Sequence, residues 1–263
     1  MRHLKLTIAY DGTDYVGWQV QPNGVTIQQR LEEAWQKLTG ERRRITASGR
    51  TDSGVNASGQ VCSLETQSEA SCFRLMRGVN AHLPDDIAVL KIQNAPTGFH
   101  AIADATEKTY RYKIQYGKVC NPLTRNTAWY CPYRFDIEPM IQAAQNLVGE
   151  HDFASFQATG SDRESTVRNL TQLDCHATAA HGSQYIDIET TCNGFLYNMV
   201  RNIVGTLADV GRGRKKPDWV AAVLSQRDRK IAGQTAPAHG LSLVNVEYSG
   251  VEFSGDESEA ESS

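Results

Sequence analysis

Apolar and polar residues alternate at the start of the chain. The apolar positions recur every second residue, at Leu4, Leu6, Ile8 and Tyr10. This period is typical of a strand with one buried face. The turn-like run Asp11-Gly12-Thr13-Asp14 follows directly, so we predict a first strand that ends near residue 10.

The next segment has helical spacing. Thr26 can cap a helix, because Gln29 follows three residues later, as in a capping box. Apolar residues then recur at helical intervals, at Ile27, Leu31, Ala34, Trp35 and Leu38. Glycine is a common helix terminator, so an amphipathic helix is predicted between Thr26 and Gly40.

Similar patterns predict an α+β fold of two tandem units. In the first half they indicate strands at 42–48, 59–66 and 86–93 and a helix at 71–83. In the second half they indicate strands near 107–116, 126–131, 166–178, 184–192 and 243–248, and helices at 137–148, from Phe195, and near 217–225. The predicted elements of the first half have the order β-α-β-β-α-β, and those of the second half have a comparable order. We therefore expect two ferredoxin-like units with mostly antiparallel sheets, which could be joined across a central cleft.

The predicted domain boundaries follow from this pattern. Residues 1–104 form the N-terminal unit and residues 105–250 the C-terminal unit, with no flexible linker between them. Residues 251–263 hold five acidic residues and no Lys or Arg, so this tail is predicted to be disordered.

The composition is that of a globular protein. The 263 residues are 40% hydrophobic, which is enough for a sizeable core. No stretch approaches the roughly 20 apolar residues of a membrane-spanning helix, and Met1 leads into the first strand rather than a signal peptide. We expect no membrane partner and a cytoplasmic location. The six cysteines form no C-x-x-C pair, so we expect buried thiols and no metal site.

The formal net charge of the chain is −3, but five acidic residues lie in the tail. The remaining residues are therefore mildly basic. Three basic clusters stand out: Arg42 to Arg44, Arg212 to Lys216 and Arg227 to Lys230. Such clusters can contact the phosphates of a nucleic acid, but ordinary solvated loops and helix ends give the same pattern. Charge alone leaves both interpretations open.

The most informative stretch runs from Ser48 to Ala57, between two predicted strands. Gly49 and Gly54 permit tight or left-handed backbone on either side of one acid, Asp52. Arg50 lies two residues before it, and a nearby cation favours an ionised carboxylate. The stretch is a candidate catalytic loop, and on its chemistry alone it is also compatible with a hairpin turn and an incidental ion pair.

Two further stretches contain candidate binding residues. On a helical wheel, the segment from Phe195 to Gly205 places Arg201 opposite a broad apolar arc, where it could hold a carboxylate or phosphate or simply face solvent. In the strand at 108–113, Tyr110 and Tyr112 share one face. Tyrosines on one face can stack on RNA bases or belong to the core.

Together these segments resemble the tRNA pseudouridine synthase A family. The motif Gly49-Arg50-Thr51-Asp52-Ser53-Gly54-Val55 is similar to that family's catalytic loop, whose aspartate corresponds to Asp52. Four other blocks agree in order: Tyr10-Asp11-Gly12-Thr13 with Gly17-Trp18-Gln19, Lys108-Thr109-Tyr110-Arg111-Tyr112, the helix from Phe195 to Gly205, and Ala236-Pro237-Ala238-His239-Gly240-Leu241. The resemblance covers about residues 4–248. Asn56 stands where the family usually has a histidine, and we regard it as peripheral.

The resemblance implies the pseudouridine synthase fold and an isomerase that converts uridine to pseudouridine in tRNA without a metal or cofactor. Asp52 would act ionised, either as a nucleophile or as a base on the ribose. Arg201 would pair with Asp52, and Tyr110 would stack on the target base. The substrate-binding residues implied are Tyr110, Arg50, Thr51, Asn198 and Leu241.

The partners are also implied by the resemblance. Members of the family act on uridines 38 to 40 of the anticodon stem-loop, and a homodimer holds the tRNA. The basic clusters suit recognition of RNA shape and phosphates better than reading of base edges.

Two other functions are compatible with the residues. A non-catalytic RNA-binding module could use the tyrosines and basic clusters alone. A glycosidic hydrolase would need two carboxylates, and the acids available near glycine turns are Asp11, Asp14 and Asp52.

Overall fold

The computed structural model describes residues 1–158, 160, 165–180 and 182–255, which form two compact α+β units. One unit combines residues 1–106 with the segment from Leu243 onward, and the other is Glu107–Ser242. The sequence placed residues 243–250 with the second unit instead. They belong with the first because Thr106 N–H donates to the Glu247 carbonyl at 2.8 Å and the Tyr248 hydroxyl to the Ala101 carbonyl at 2.8 Å.

The first unit has the predicted β-α-β-β-α-β order. Its elements are β1 (Arg2–Tyr10), α1 (Ile27–Thr39), β2 (Thr46–Ala47), β3 (Asn56–Thr66), α2 (Cys72–Asn80) and β4 (Ile87–Ala95). Strand β1 lies between β3 and β4 and is antiparallel to both, and β2 pairs with β3. The alternation in β1 is confirmed, because Leu4, Leu6, Ile8 and Tyr10 are all buried.

The ends of α1 are also confirmed. The Thr26 side chain accepts a hydrogen bond from Gln29 N–H, and Gly40 adopts a left-handed conformation with φ of 75°. Strand β2 is much shorter than the predicted 42–48. Ile45 N–H donates to the Glu32 carboxylate at 3.0 Å, so a side chain takes the place of a strand partner there.

The second unit contains β5 (Glu107–Tyr116), β6 (Trp129–Cys131), α3 (Ile137–Gln145), β7 (Gly149–Asp152), β8 (Val167–Ala180), β9 (Ser183–Cys192), α4 (Met199–Gly211) and α5 (Asp218–Gln226). The last strand, β10 (Leu241–Glu247), begins in this unit and lies in the first unit from Leu243 onward. The order β5-β9-β8-β7 is antiparallel throughout, and β6 runs parallel to β5. The α+β class with mostly antiparallel strands is confirmed. The prediction missed β7, because Gly-Glu-His-Asp has no apolar alternation.

Helix α4 begins four residues later than predicted, at Met199 rather than Phe195. Asn198 precedes it with a positive φ of 59°, a conformation that asparagine tolerates better than most residues. The turn before it places Arg201 in the first turn of the helix.

The first residues of the acidic tail are ordered, which corrects the prediction of disorder from residue 251. The Phe253 ring lies 5.1 Å from the Phe99 ring, and Lys5 Nζ lies 4.0 Å from the Phe253 centroid. Ser254 and Asn94 exchange two backbone hydrogen bonds of 2.6 and 3.1 Å. The Phe253 ring anchors this part of the tail, which the number of acidic residues does not indicate. Residues 256–263 lie outside the described part of the chain.

Five of the six cysteines are buried and Cys120 is exposed, and all six are free thiols. No helix in the described ranges is long and apolar enough to cross a bilayer. No group of three or more metal-ligating side chains occurs among the residues that the structure describes.

Candidate functional site

Asp52 opens a tight turn in the loop before β3. Its carbonyl accepts a hydrogen bond from Val55 N–H at 3.1 Å, and Gly54, the third residue of the turn, has a φ of 75°. A positive φ at this turn position strongly favours glycine. The Asp52 side chain is half-buried, and Arg50 beside it in sequence is exposed. The local geometry therefore presents one carboxylate from a rigid turn.

The N-terminal side of this loop is fixed to β3. Ser48 N–H donates to the Val61 carbonyl at 2.8 Å. The buried Gln60 amide donates to the Gly49 carbonyl at 2.9 Å and accepts from the Ser48 hydroxyl at 2.7 Å. Buried side-chain bonds of this kind limit the motion of the loop backbone.

Residues 10–18 hold the other side of the loop. The Tyr10 hydroxyl and the Thr51 hydroxyl are 2.8 Å apart and both buried, and Trp18 N–H donates to the Thr51 carbonyl at 3.0 Å. A Cβ on Gly17 would lie 2.8 Å from that same carbonyl, and one on Gly12 would overlap the Val55 carbonyl. The first sequence block thus positions the Asp52 loop, a role that its composition alone did not reveal.

Asn56 is part of the same support. It is buried, and its Oδ1 accepts from Gly12 N–H at 2.8 Å. The expectation that Asn56 is peripheral is therefore wrong, because its side chain links the loop to the 10–18 segment through a buried hydrogen bond.

Replacing Tyr10 by Phe is expected to loosen this support. The Thr51 hydroxyl loses a buried partner, so the free energy of unfolding should fall by about 0.5–1.5 kcal/mol in urea titrations. Amide exchange at Trp18 should accelerate. Tyr130→Phe, which removes a hydroxyl bonded to the Gly117 carbonyl, is the control and should leave Trp18 exchange unchanged. Equal exchange at Trp18 in both variants would contradict this role for Tyr10.

Arg201 is held by two acceptors in the second unit. Its Nε donates to the Ala236 carbonyl at 2.7 Å and its Nη1 to Asn198 Oδ1 at 2.8 Å. Ala236 N–H in turn donates to the Arg201 carbonyl at 3.1 Å. The side chain is half-buried, so the alternative of an arginine that simply faces solvent is wrong. Two fixed positions on a planar guanidinium set its orientation.

The Asn198 side chain binds Arg201 and does not cap helix α4. Residues at this position usually cap the first backbone N–H groups, but the Asn198 side chain makes no capping bond. It accepts from Arg201 instead. The family resemblance implies that Asn198 binds substrate, and in the structure its side chain orients Arg201.

The two tyrosines of β5 have different surroundings. Tyr112 is fully buried, and its hydroxyl donates to the Pro237 carbonyl at 2.8 Å. Burial raises the pKa of Tyr112, which keeps that donor protonated. Tyr110 is 9% exposed, with its ring edge-on to Phe195 at 5.1 Å. Tyr112 is a core residue, and Tyr110 keeps a small accessible part.

Residues 236–241 complete the surroundings of Arg201. Burial, together with the Arg201 charge, lowers the pKa of His239, so this imidazole is neutral at pH 7. Gly240 packs against the Tyr112 ring with no room for a side chain. Leu241 is buried at the start of β10.

Several arginines of the basic clusters have partners within the protein. The Arg212 guanidinium lies 5.1 to 5.4 Å from three aromatic rings, those of Trp129, Tyr133 and Phe135. Arg43 pairs with Glu41 at 3.0 Å. Arg42, Lys215 and Lys216 are exposed. Fewer side chains of these clusters are therefore available for phosphates than the sequence suggested.

The match to known proteins includes both the loop around Asp52 and the helix that contains Arg201. A family model described as tRNA pseudouridine synthase matches residues 6–102 and 143–249. The tRNA pseudouridine synthase A of Pelobacter propionicus is 47% identical over 248 residues, 94% of this chain and 100% of that protein. Those of Roseiflexus castenholzii and Thermoanaerobacter pseudethanolicus are 46% and 43% identical over 94% of this chain and 91% and 100% of theirs.

Among solved structures, a chain in a crystal structure of a Cbf5-Nop10-Gar1 complex overlaps with 91% of this chain and 48% of its own length. The sequence identity is 9% and the TM-score is 0.38. The family assignment depends on the sequence matches and not on this overlap.

Proposed function

Because the chain belongs to the tRNA pseudouridine synthase family, we propose that it isomerises uridines 38 to 40 of the tRNA anticodon stem-loop, with Asp52 as the catalytic carboxylate. The observation that carries the proposal is a match over nearly the whole chain that includes the loop built around Asp52. The conversion of uridine to pseudouridine in tRNA is the activity named for the relatives.

The reaction rearranges one nucleotide without loss of atoms. The bond between ribose C1′ and uracil N1 breaks, the base turns, and C1′ joins C5, whose proton moves to solvent while N1 gains one. The base must first leave the helical stack, at a cost of a few kcal/mol. Asp52 acts in its ionised form, as nucleophile or as base toward the ribose. This scheme uses only side chains and RNA.

Arg201 is proposed as the cation that keeps Asp52 ionised, as the family resemblance implies. An opposite charge close to a carboxylate lowers its pKa. The bonds from Arg201 to Ala236 and Asn198 support this role, because they fix the guanidinium before substrate binds.

The remaining site residues are proposed to hold the base and its backbone. Tyr110, steadied by Phe195, stacks on the target uracil, and such stacking is worth about 1–3 kcal/mol per base. Leu241 forms an apolar wall, and the exposed Arg50 contacts a phosphate. Thr51 contributes mainly through its bond to Tyr10, which steadies the loop.

The partners are proposed on the same basis. The substrate is tRNA, which exposed basic residues such as Lys215 and Lys216 contact through phosphates. A homodimer in the cytoplasm, where tRNA is processed, is proposed from the family resemblance.

Mapping of pseudouridine in unmodified tRNA, with and without the purified protein, tests the proposal. New pseudouridine confined to residues 38 to 40, with unchanged RNA mass, is the expected result. Release of free uracil would indicate a hydrolase, and binding without modification would indicate an RNA-binding module. Either result would overturn the proposal.

A further inference from the structure

A buried polar cluster joins α4 to the segment at 229–236. Asn202 is fully buried, one residue after Arg201. Its amide nitrogen donates to the Phe156 carbonyl at 2.8 Å. Its Oδ1 accepts from the Thr235 hydroxyl at 2.7 Å and from Arg229 Nη2 at 2.8 Å. Because each of these groups is satisfied by the others, the cluster specifies one arrangement of the two segments.

Arg229 also closes the 229–235 segment on itself. Its Nη1 donates to the Gly233 carbonyl at 2.9 Å and its Nη2 to the Thr235 hydroxyl at 3.0 Å. All the acceptors that the structure shows for Arg229 are neutral, and the side chain is half-buried. This arginine is therefore used as a rigid fork of hydrogen-bond donors rather than as one member of an ion pair.

A second contact fixes the same segment to the helix. The Thr206 hydroxyl donates to the Asn202 carbonyl at 2.7 Å and accepts from Gly233 N–H at 3.0 Å. Gly205 has no Cβ, which lets the Gln234 carbonyl approach the helix backbone. The chain is thus anchored on both sides of Gln234 before it reaches Ala236.

Ala236 is the residue that exchanges two hydrogen bonds with Arg201. The position of its carbonyl determines where Arg201 Nε can donate, and that carbonyl lies one residue after Thr235. A shift of about 1 Å caused by a change far from the chemistry can cost about 100-fold in rate. The geometry of the guanidinium therefore depends on the cluster around Asn202.

We propose that Arg229 is a positioning residue for pseudouridine formation, which acts through Asn202 and Thr235 to hold the Ala236 carbonyl against Arg201. The inference rests on the proposed function. A purely structural cluster would affect folding stability alone, whereas a positioning role affects the chemical step more than tRNA binding.

Variants at Thr235 and Arg229 test the inference. Thr235→Val removes the hydroxyl with little change in shape, and Thr235→Ser keeps it. We expect Thr235→Val and Arg229→Met to lower kcat in purified protein by about 10- to 100-fold, with tRNA affinity within about twofold of the parent. Thr235→Ser should restore most of the rate. Thr235→Val is the milder change and serves if Arg229→Met does not fold.

Met140→Ala is the control for stability. Met140 is fully buried in α3 and packs beside Gly211, at the opposite end of α4 from Asn202. The Met140→Ala variant should have a lower Tm than the parent, while its kcat, measured well below Tm, stays near that of the parent. If Thr235→Val lowers Tm in the same way but keeps kcat, or if Thr235→Ser is as slow as Thr235→Val, the inference is overturned. Failure of the parent protein to form pseudouridine would instead overturn the proposed function.

Discussion

Replacement of Asp52 by Asn is expected to abolish pseudouridine formation while tRNA binding changes little. The amide has nearly the shape of the carboxylate but can neither attack as a nucleophile nor accept a proton as a base. General base catalysis contributes about 100- to 10,000-fold, and loss of a nucleophile costs at least as much. The hydrogen bond that closes the turn is kept in this variant, because it uses the backbone carbonyl of residue 52.

Asp14→Asn is the matched control for this prediction. Asp14 is exposed and lies in the segment that supports the loop. It should form pseudouridine at the rate of the parent. Single-turnover assays on tRNA, with affinity measured in parallel, separate the two variants. An Asp52→Asn protein that retains a tenth or more of the parental rate would contradict a catalytic role for Asp52.

A second large effect is expected from Gly205→Ala. The new Cβ would overlap the Gln234 carbonyl, which belongs to the backbone and cannot rotate away as a side chain can. Overpacking of a close-packed interior typically costs about 1–3 kcal/mol and occasionally more. Because the displaced segment leads to Ala236, the rate of pseudouridine formation should fall together with stability.

Gly194→Ala separates this effect from the general cost of the substitution. A Cβ on Gly194 would be 3.8 Å from its nearest neighbour, Arg168 Nε, which is an ordinary contact. Its stability should stay within about 0.5 kcal/mol of the parent in urea titrations. A Gly205→Ala protein as stable as Gly194→Ala would show that the segment at 233–236 can move away from α4.

The elements that the sequence predicts well are those set by neighbours along the chain. Thr26, Gln29 and Gly40 define α1 through contacts within a few residues, and the alternation in β1 requires only one buried face. Helix α4 illustrates the limit, because its apolar periodicity continues back to Phe195 while the left-handed backbone of Asn198 stops the helix.

Contacts between distant residues could not be predicted in the same way. Strand β2 is short because the Glu32 side chain binds Ile45 N–H, and the last strand belongs with the first unit through Thr106 and Tyr248. None of these pairings produces a periodic pattern of apolar and polar residues in the sequence.

The same distinction between local and distant contacts applies to the candidate site. The loop around Asp52 is a contiguous motif, so the catalytic candidate was identified from the sequence. Its support by Tyr10, 41 residues away from Thr51, was not. Arg229 belongs to a basic cluster for which the sequence leaves phosphate contact and solvent exposure open, and its guanidinium instead donates to Asn202. Charge in a sequence does not distinguish a phosphate contact from an internal donor.

The packing of Phe253 bears on how the chain can be shortened. A protein cut at residue 249, where the family match ends, would uncover the Phe99 ring and leave Asn94 on edge strand β4 without its backbone partner. Bare strand edges beside apolar rings promote aggregation. Truncation for expression or crystal growth should therefore keep residues through Gly255, and affinity tags should be joined beyond that point.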